Sequence, residues 1–293
     1  MGLEKENNQD HYGAISDYTK ALELDPHNSV IYYNISVVKA NLEDYVGAIS
    51  DLTKAIELDP NDSDSYCSRG YNKNKLKDYV GAVSDYTNAI ELHPADTISF
   101  FFRGLVKENL EDYTGAISDY TKVIELDSSD IDAYLNRGDV KRKLEDYFGA
   151  ILDYTKAIEL DSTSTASFFN RGLVKENLED YAGAISDYTK ALELDSSDID
   201  AYFNRGNGKR KLEDYFGAIS DYTKAIELDS TSTASFINRG LVKMNTDDYA
   251  GAISDYTKAL ELDPHNSVTY YNIALIKANL EDYVGAISDL TKA

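Results

Sequence analysis

The chain has 293 residues, and its 29 Lys and Arg against 52 Asp and Glu give a formal net charge of −23. A surface this acidic repels phosphate backbones and anionic lipids, which argues against nucleic-acid and membrane-surface partners. The single cysteine excludes a disulfide framework, and no apolar run reaches the roughly 18 residues of a membrane-spanning helix. The polar N-terminus MGLEKENNQD has no secretion signal, which favours a cytoplasmic location unless the chain is truncated there.

A repeat of 34 residues runs through the whole chain. The motif Gly-Ala-(Ile/Val)-(Ser/Leu)-Asp occurs nine times, and its glycines recur every 34 residues from Gly13 to Gly285. A second glycine column keeps the same spacing from Gly70 to Gly240. This periodicity predicts a single array over residues 1–293 without a domain boundary. The predicted units are a partial repeat 1–28, full repeats 29–62, 63–96, 97–130, 131–164, 165–198, 199–232 and 233–266, and a partial repeat 267–293.

Each repeat carries two helical patterns. In the sixth full repeat the first helix is expected from roughly Asp200 to Leu212, and the second from roughly Asp214 to Leu228. Apolar residues of the second helix follow the i, i+3, i+4, i+7 spacing of a buried face, and Asp214 is placed to cap it. Gly206 on the first helix permits close backbone approach. The repeats therefore predict an all-α stack of helical hairpins.

This pattern resembles the tetratricopeptide repeat (TPR), over essentially all 293 residues. The resemblance implies an α-α superhelix of right-handed sense, in which first helices line a concave groove that binds peptides or proteins without catalysis. Family members mostly act as scaffolds, adaptors or co-chaperones. In the sixth full repeat the matching residues are Tyr202, Gly206, Tyr215, Ala218, Tyr222 and Ala225.

Two basic columns flank the second glycine column. Lysine stands where the family usually has tyrosine, three residues after the glycine, and we expect its stem to cover apolar surface while its ammonium stays in solvent. Arginine precedes the glycine in six repeats, and those repeats carry tyrosine in the second helix. The repeats with Ile35 and Ile273 carry Leu52 and Leu290 instead. This paired exchange predicts that the arginine packs on the tyrosine and also meets the neighbouring aspartate.

An asparagine column on the first helices is the main candidate for ligand binding. The resemblance places this side of the helix in the groove, where an amide can pair with an extended peptide backbone. It is similar to the asparagine ladder of the O-linked N-acetylglucosamine transferases. The alternative is that these amides make only local hydrogen bonds. The column comprises Asn34, Asn136, Asn170, Asn204, Asn238 and Asn272, and is interrupted by Ser68 and Phe102.

A neighbouring column adds apolar groups to the predicted groove. Phe101, Phe169 and Phe203 are candidates to take ligand side chains, although they can equally pack between first helices. Charge also alternates along this side, where Glu108 and Glu176 alternate with the basic pairs Arg142-Lys143 and Arg210-Lys211. These charges either recognise a ligand of mixed charge or belong to solvated helix ends.

The sequence predicts no catalytic residue, no metal site and no cofactor. The acidic turns lack the glycine and the terminal glutamate of a calcium-binding loop. The four histidines have no partner at metal spacing, and Cys67 has no histidine in its own repeat. The predicted function is therefore a non-enzymatic scaffold or adaptor that binds a peptide or protein segment.

Two alternatives remain open. Residues 263–293 repeat residues 25–55 with four changes, and the chain begins at Met1 in a first helix and stops at Ala293 in a second. Uncapped ends of this kind predict head-to-tail self-association of a structural scaffold, or else a fragment of a longer array. The other alternative is a regulatory TPR module of a larger enzyme.

Overall fold

The computed structural model describes residues 10–293, and this part of the chain contains seventeen helices and no strand. None of these helices is both long and apolar enough to cross a membrane. Of the predicted partial repeat 1–28, residues 1–9 lie outside the described part. The helices are α1 (His11–Leu24), α2 (Ser29–Asn41), α3 (Tyr45–Leu58), α4 (Ser63–Lys75), α5 (Tyr79–Leu92), α6 (Thr97–Asn109), α7 (Tyr113–Leu126), α8 (Ile131–Lys143), α9 (Tyr147–Leu160), α10 (Thr165–Asn177), α11 (Tyr181–Leu194), α12 (Ile199–Lys211), α13 (Tyr215–Leu228), α14 (Thr233–Asn245), α15 (Tyr249–Leu262), α16 (Ser267–Asn279) and α17 (Tyr283–Leu290).

The described residues form two compact units, of which the first ends at residue 144 and the second comprises 145–293. In the first unit, α2–α3, α4–α5 and α6–α7 are helical hairpins, and each second helix packs on the first helix of the next hairpin. The second unit repeats this arrangement with α10–α11, α12–α13, α14–α15 and α16–α17. The predicted all-α fold of stacked hairpins is therefore confirmed. The single array over 1–293 stays a prediction.

The turn inside each hairpin has the same geometry. In α6–α7 the amide of Asp112 donates to Lys107 O at 2.9 Å, and Glu111 between them has a φ of 59°. This left-handed residue after a helix is usually glycine, but here the chain uses charged residues. Asp112 then caps α7 by accepting from the Gly115 amide at 3.0 Å. The predicted cap at Asp214 is confirmed in the same way, because its carboxylate accepts from the Gly217 amide at 3.0 Å.

The core of a hairpin forms where a tyrosine ring lies against a glycine. Tyr120 is fully buried, and a Cβ built on Gly104 would lie 2.8 Å from its Cε1. The same holds for Gly206 and Tyr222, so the glycine predicted to let two backbones approach closely makes room for an aromatic ring instead. The fully buried rings are those of Tyr86, Tyr120, Tyr154, Tyr188, Tyr222 and Tyr256.

Two cations hold the buried aspartate that precedes this tyrosine. Arg103 donates from Nε and Nη2 to the two carboxylate oxygens of Asp119, at 3.0 and 2.7 Å. Lys107 Nζ lies 2.8 Å from Asp119 Oδ2. Arg103 also donates to Thr87 Oγ1 of the preceding hairpin at 3.0 Å, so one guanidinium ties α5, α6 and α7 together. We call this cluster the Arg–Asp latch; it recurs as Arg69–Asp85, Arg171–Asp187, Arg205–Asp221 and Arg239–Asp255.

The latch confirms one prediction about the basic columns and corrects two. The arginine meets the aspartate as expected, but the ring under its guanidinium is that of Phe100 on the same helix, at 5.4 Å, and not the tyrosine of the second helix. The lysine ammonium does not stay in solvent. Lys107 turns inward because a buried carboxylate has more acceptor sites than one guanidinium can fill, and an uncompensated buried charge is costly.

The first helices form the inner side of each stack. In the first unit α4 contacts α6, and in the second unit α10, α12, α14 and α16 contact one another in turn. Within the described residues no comparable contact joins successive second helices. First helices of neighbouring hairpins therefore lie closer together than second helices, which curves each unit toward its first helices.

Candidate ligand-binding groove

The candidate site is the surface where successive first helices meet, which we call the groove surface. Cavities open here between neighbouring helices of the first unit. One of them lies between α6 and α8, beside Phe101 and Phe102, and another lies between α2, α4 and α6. The predicted asparagine and phenylalanine columns both reach this surface.

The asparagine column of the second unit places one amide on each successive first helix. Asn170, Asn204, Asn238 and Asn272 lie on α10, α12, α14 and α16; the first three are half-buried, and Asn272 is buried. Asn238 donates one amide hydrogen to Ala234 O of its own helix at 3.0 Å. This is the local hydrogen bond of the alternative interpretation. It uses one donor and leaves the other amide hydrogen and the carbonyl oxygen of Asn238 for a ligand.

The column of the first unit is broken. Asn34 lies on α2 and Asn136 on α8, and both are half-buried. Asn136 makes the same local bond as Asn238, to Asp132 O at 2.7 Å. Ser68 and Phe102 take the place of asparagine on α4 and α6. The ligand-binding role of both columns stays a prediction, and the second unit offers the longer uninterrupted run.

The three predicted groove phenylalanines pack on core tyrosines while keeping part of their surface exposed. The ring centroid of Phe101 lies 5.7 Å from that of Tyr120, and that of Phe203 lies 5.8 Å from that of Tyr222. Phe169 and Tyr188 form an equivalent pair at 5.6 Å. Because all three phenylalanines are half-buried, they form the floor of the groove surface and contribute to packing at the same time.

Two of the core tyrosines, Tyr120 and Tyr188, donate their hydroxyls to the predicted acidic residues of the groove. Tyr120 donates to Glu108 Oε1 at 2.6 Å, and Lys143 donates to Glu108 Oε2 at 2.9 Å. The Glu108 side chain is only 14% exposed, so the interpretation as a solvated helix end is wrong for this residue. Burial and the bond to Glu108 raise the pKa of Tyr120 far above its usual range, which keeps its hydroxyl a donor.

The second unit contains the same kind of contact with more variety. Tyr188 donates to Glu176 Oε2 at 2.9 Å, whereas Tyr222 donates to Asn207 Oδ1 at 2.8 Å. Burial raises the pKa of Tyr222 to about 12. These bonds between core and groove were not foreseen from the sequence, because tyrosine and acceptor lie on different helices. They fix the groove side chains in place before any ligand arrives.

The cavity between α2, α4 and α6 lies where the asparagine column is interrupted. Its volume is about 330 Å³, and its walls are mainly apolar, with Val37, Cys67, Tyr71 and Phe102 among them. Asn72 also lines it and is 3% exposed, and its Oδ1 has no hydrogen-bond partner. An unpaired buried acceptor costs about 1–3 kcal/mol. We call this cavity the Asn72 pocket.

The described residues show no arrangement for metal binding. Between residues 10 and 293 there is no group of three or more His, Cys, Asp or Glu placed to hold an ion. Burial raises the pKa of the Cys67 thiol, which favours its protonated and less nucleophilic form. The groove surface thus offers hydrogen bonds and apolar contact.

Comparison with solved structures gives matches to repeat proteins of the same architecture. The C-terminal part of a TPR repeat-containing protein from Cytophaga hutchinsonii is 20% identical with a TM-score of 0.74, and covers 82% of this chain and 99% of that one. YrrB, described as a TPR protein with an unusual peptide-binding site, is 24% identical with a TM-score of 0.56, and covers 67% and 97%. MamA is 24% identical with a TM-score of 0.52, and covers 53% and 91%. The comparison with curated proteins gives no significant match.

Models of the repeat family match along the chain. A model described as "Tetratricopeptide repeat" matches residues 1–28, 30–62, 99–130, 131–164 and 199–232, which together make up more than half of the chain. A second model of the same description matches 234–266, and one described as "TPR repeat" matches 177–208. The chain belongs to the tetratricopeptide repeat family.

Proposed function

We propose that this protein is a scaffold or adaptor that binds an extended peptide segment of a partner protein along the groove surface, without catalysis. One observation carries the proposal: the second unit has an asparagine at the same position of four successive first helices, and three of these, Asn170, Asn204 and Asn238, keep part of their surface exposed, whereas Asn272 is buried. A side-chain amide both donates and accepts, as a peptide group does. It can therefore hold a backbone without reading the side chains of the peptide.

The spacing of these amides suits an extended chain. Neighbouring packed helices lie about 8–10 Å apart, and an extended peptide rises about 3.3 Å per residue. One asparagine then meets about every third residue of the peptide, which leaves the residues between for the half-buried Phe169 and Phe203. YrrB supports the proposal only as a protein of the same fold whose description names a peptide-binding site.

The test uses a selected peptide as the ligand. Random dodecapeptides displayed on phage are selected against the full chain, and the enriched peptide is titrated by fluorescence polarisation. Replacing Asn170, Asn204 and Asn238 together with Ala should weaken binding by about tenfold or more, because each lost hydrogen bond is worth about 0.5–1.5 kcal/mol. Circular dichroism should show unchanged helicity.

A matched variant separates the groove from a general loss of amides. Asn177→Ala and Asn245→Ala change exposed asparagines at the ends of α10 and α14, and should leave the affinity unchanged. Equal affinity of the triple variant and the wild type for every selected peptide would refute the asparagine ladder. Self-association, a regulatory role in a larger enzyme and a cytoplasmic location stay predictions from the sequence.

A further inference from the structure

Asn72 breaks the pattern of the core position that it occupies. Its amide nitrogen donates to Ser68 O at 2.8 Å, which settles which end of the amide is the nitrogen and which is the oxygen. Oδ1 is left buried without a partner, in a side chain that lines the pocket. In most other first helices the same position holds a fully buried aliphatic residue. These are Val38, Val106, Val140, Val174, Val242 and Ile276.

The rest of the Asn72 pocket offers little polarity to a ligand. The Ser36 hydroxyl is occupied, since it donates to Tyr33 O at 2.6 Å. Tyr71 and Phe102 form an edge-to-face pair with centroids 6.0 Å apart, and the Lys75 ammonium lies 5.2 Å from the Tyr71 centroid. The pocket therefore combines mainly apolar and aromatic walls with the buried, unpartnered Asn72 Oδ1, and the Lys75 ammonium lies over one of its aromatic rings.

We propose that the Asn72 pocket binds a tryptophan side chain of the partner peptide, with the indole N–H donating to Asn72 Oδ1. This inference rests on the proposed function, because it places a specific residue of the peptide at one point of the groove surface. Indole is the side chain that joins a large apolar ring to a donor and carries no acceptor that would need its own partner. A tyrosine hydroxyl would bring an acceptor into an apolar pocket, and a lysine or arginine would bring a charge toward Lys75.

The size of the pocket agrees with one side chain rather than a larger ligand. Its volume of about 330 Å³ lies at the lower end of the roughly 300–1,000 Å³ typical of small-molecule sites. The indole ring would lie against Tyr71 and Phe102, whose ring faces and edges favour offset and edge-to-face contacts with a third aromatic ring. Asn72 then acts as the residue that selects tryptophan over other apolar residues.

The composition of the chain allows a test without labelling. The chain has no tryptophan and a single cysteine, Cys67, which lines the pocket. N-acetyltryptophanamide is titrated with the full chain while its own fluorescence is recorded at excitation wavelengths that tyrosine does not absorb. We expect a saturable blue shift of the emission, together with slower alkylation of Cys67 by iodoacetamide.

Two changes isolate the proposed hydrogen bond. Asn72→Val should weaken binding of the probe about three- to tenfold, the range expected for one neutral hydrogen bond. The variant should unfold at the same or a higher temperature than the wild type, because it restores the valine of neighbouring helices. N-acetyl-1-methyltryptophanamide, which lacks the indole N–H, should bind the wild type and Asn72→Val equally weakly. Asn177→Val on α10 serves as the matched control and should bind the probe as the wild type does.

Two kinds of result overturn the inference, and the triple asparagine variant separates its failure from that of the proposed function. Equal binding of N-acetyltyrosinamide, N-acetylleucinamide or the methylated probe would show that the acceptor does not select indole. Failure of the probe to protect Cys67 would place it elsewhere. If the probe does not bind while the triple asparagine variant loses the selected peptides, only the inference fails. If the probe binds and the triple variant keeps its peptides, the asparagine ladder fails and the pocket remains a tryptophan site.

Discussion

The hairpins α2–α3 and α6–α7 of the first unit use different residues at the contact between their two helices. In α6–α7, Gly104 makes room for the ring of Tyr120. In α2–α3, Ser36 takes the place of the glycine and Leu52 that of the tyrosine, and both are buried. Glycine thus occurs where a tyrosine ring faces the first helix, and the slightly larger serine occurs where leucine does. The exchange of both residues together preserves the volume of the core.

The two hairpins also differ in how they compensate the buried aspartate. Asp119 has both Arg103 and Lys107, whereas Asp51 has Lys39 alone, at 2.6 Å, because Ile35 replaces the arginine. Burial raises the pKa of Asp51 despite its bond to Lys39. The Asp119 side chain is only 3% exposed, and Arg103 gives it a second positive charge that Asp51 lacks. The comparison teaches that the latch belongs to the hairpins with tyrosine cores.

The largest expected effect comes from removing the carboxylate of the latch. Asp119→Ala leaves Arg103 and Lys107 buried without their counter-ion, and should lower the free energy of unfolding by about 3–5 kcal/mol. Asp51→Ala should cost about 1 kcal/mol or less, because a single lysine can return to solvent. The measurement is hydrogen exchange of the amides in α2–α3 and α6–α7 of the full chain, since repeats open locally. Similar losses of protection in both variants would contradict the difference between the hairpins.

A smaller effect should follow when the glycine of the core is filled. Gly104→Ala brings a Cβ to 2.8 Å from Tyr120 Cε1, and should destabilise the hairpin by up to about 2 kcal/mol after the gain in helix propensity. Ser36→Ala, at the same position of α2, should be nearly neutral apart from the lost bond to Tyr33 O. The double variant Gly104→Ala with Tyr120→Leu should show a favourable coupling of at least about 0.5 kcal/mol in chemical denaturation. If the effects of the two substitutions on stability were strictly additive, Gly104 and Tyr120 would not depend on each other.

Periodicity was sufficient to predict the faces of the helices, but not the contacts between them. The spacing placed Gly206 on the inner side of its helix and Tyr222 on a buried face, but the contact between this glycine and the tyrosine ring is seen only in the structure. The spacing did not predict that Lys107 turns inward to Asp119, since the two residues lie on different helices and lysine is usually exposed. The left-handed conformation of Glu111 could not be predicted from the sequence either, because glycine is the residue expected at such a position.

Only part of the candidate site was predicted, because periodicity reveals repeated positions and not single exceptions. A repeated column such as the asparagines stands out in the sequence. Asn72 does not, because it occurs once and lies beside more conspicuous polar residues of α4. Comparison with Val38 and Val106, 34 residues away on either side, was the available signal. Its meaning depends on knowing that this column is fully buried, which the structure establishes.

The smallest effect concerns the pH dependence of hairpins without the arginine, where Asp51 can be compared with Asp289. Although burial opposes it, the pKa of Asp289 is lowered because Lys277 and Lys292 both lie close to its carboxylate, at 2.6 and 3.4 Å. A raised pKa means that the folded state holds the proton more tightly, so stability falls as the pH rises from the ordinary value of about 4 through the raised value. A lowered pKa gives the opposite slope, with stability lost as the pH falls from about 4 through the lowered value.

Asparagine variants at the two positions should therefore respond to pH in opposite directions. Relative to the wild type, Asp51→Asn should gain stability as the pH rises above about 4, whereas Asp289→Asn should lose stability at neutral pH and recover toward the wild type as the pH falls below about 4. Urea unfolding at a series of pH values, with each variant paired to the wild type at the same ionic strength, measures both differences. Parallel curves for the two variants would show that the number of neighbouring lysines does not set the charge state of these aspartates. Opposite slopes would mean that Lys292, the second cation beside Asp289, helps to lower the pKa of that buried carboxylate, whereas Lys39 alone does not lower the pKa of Asp51.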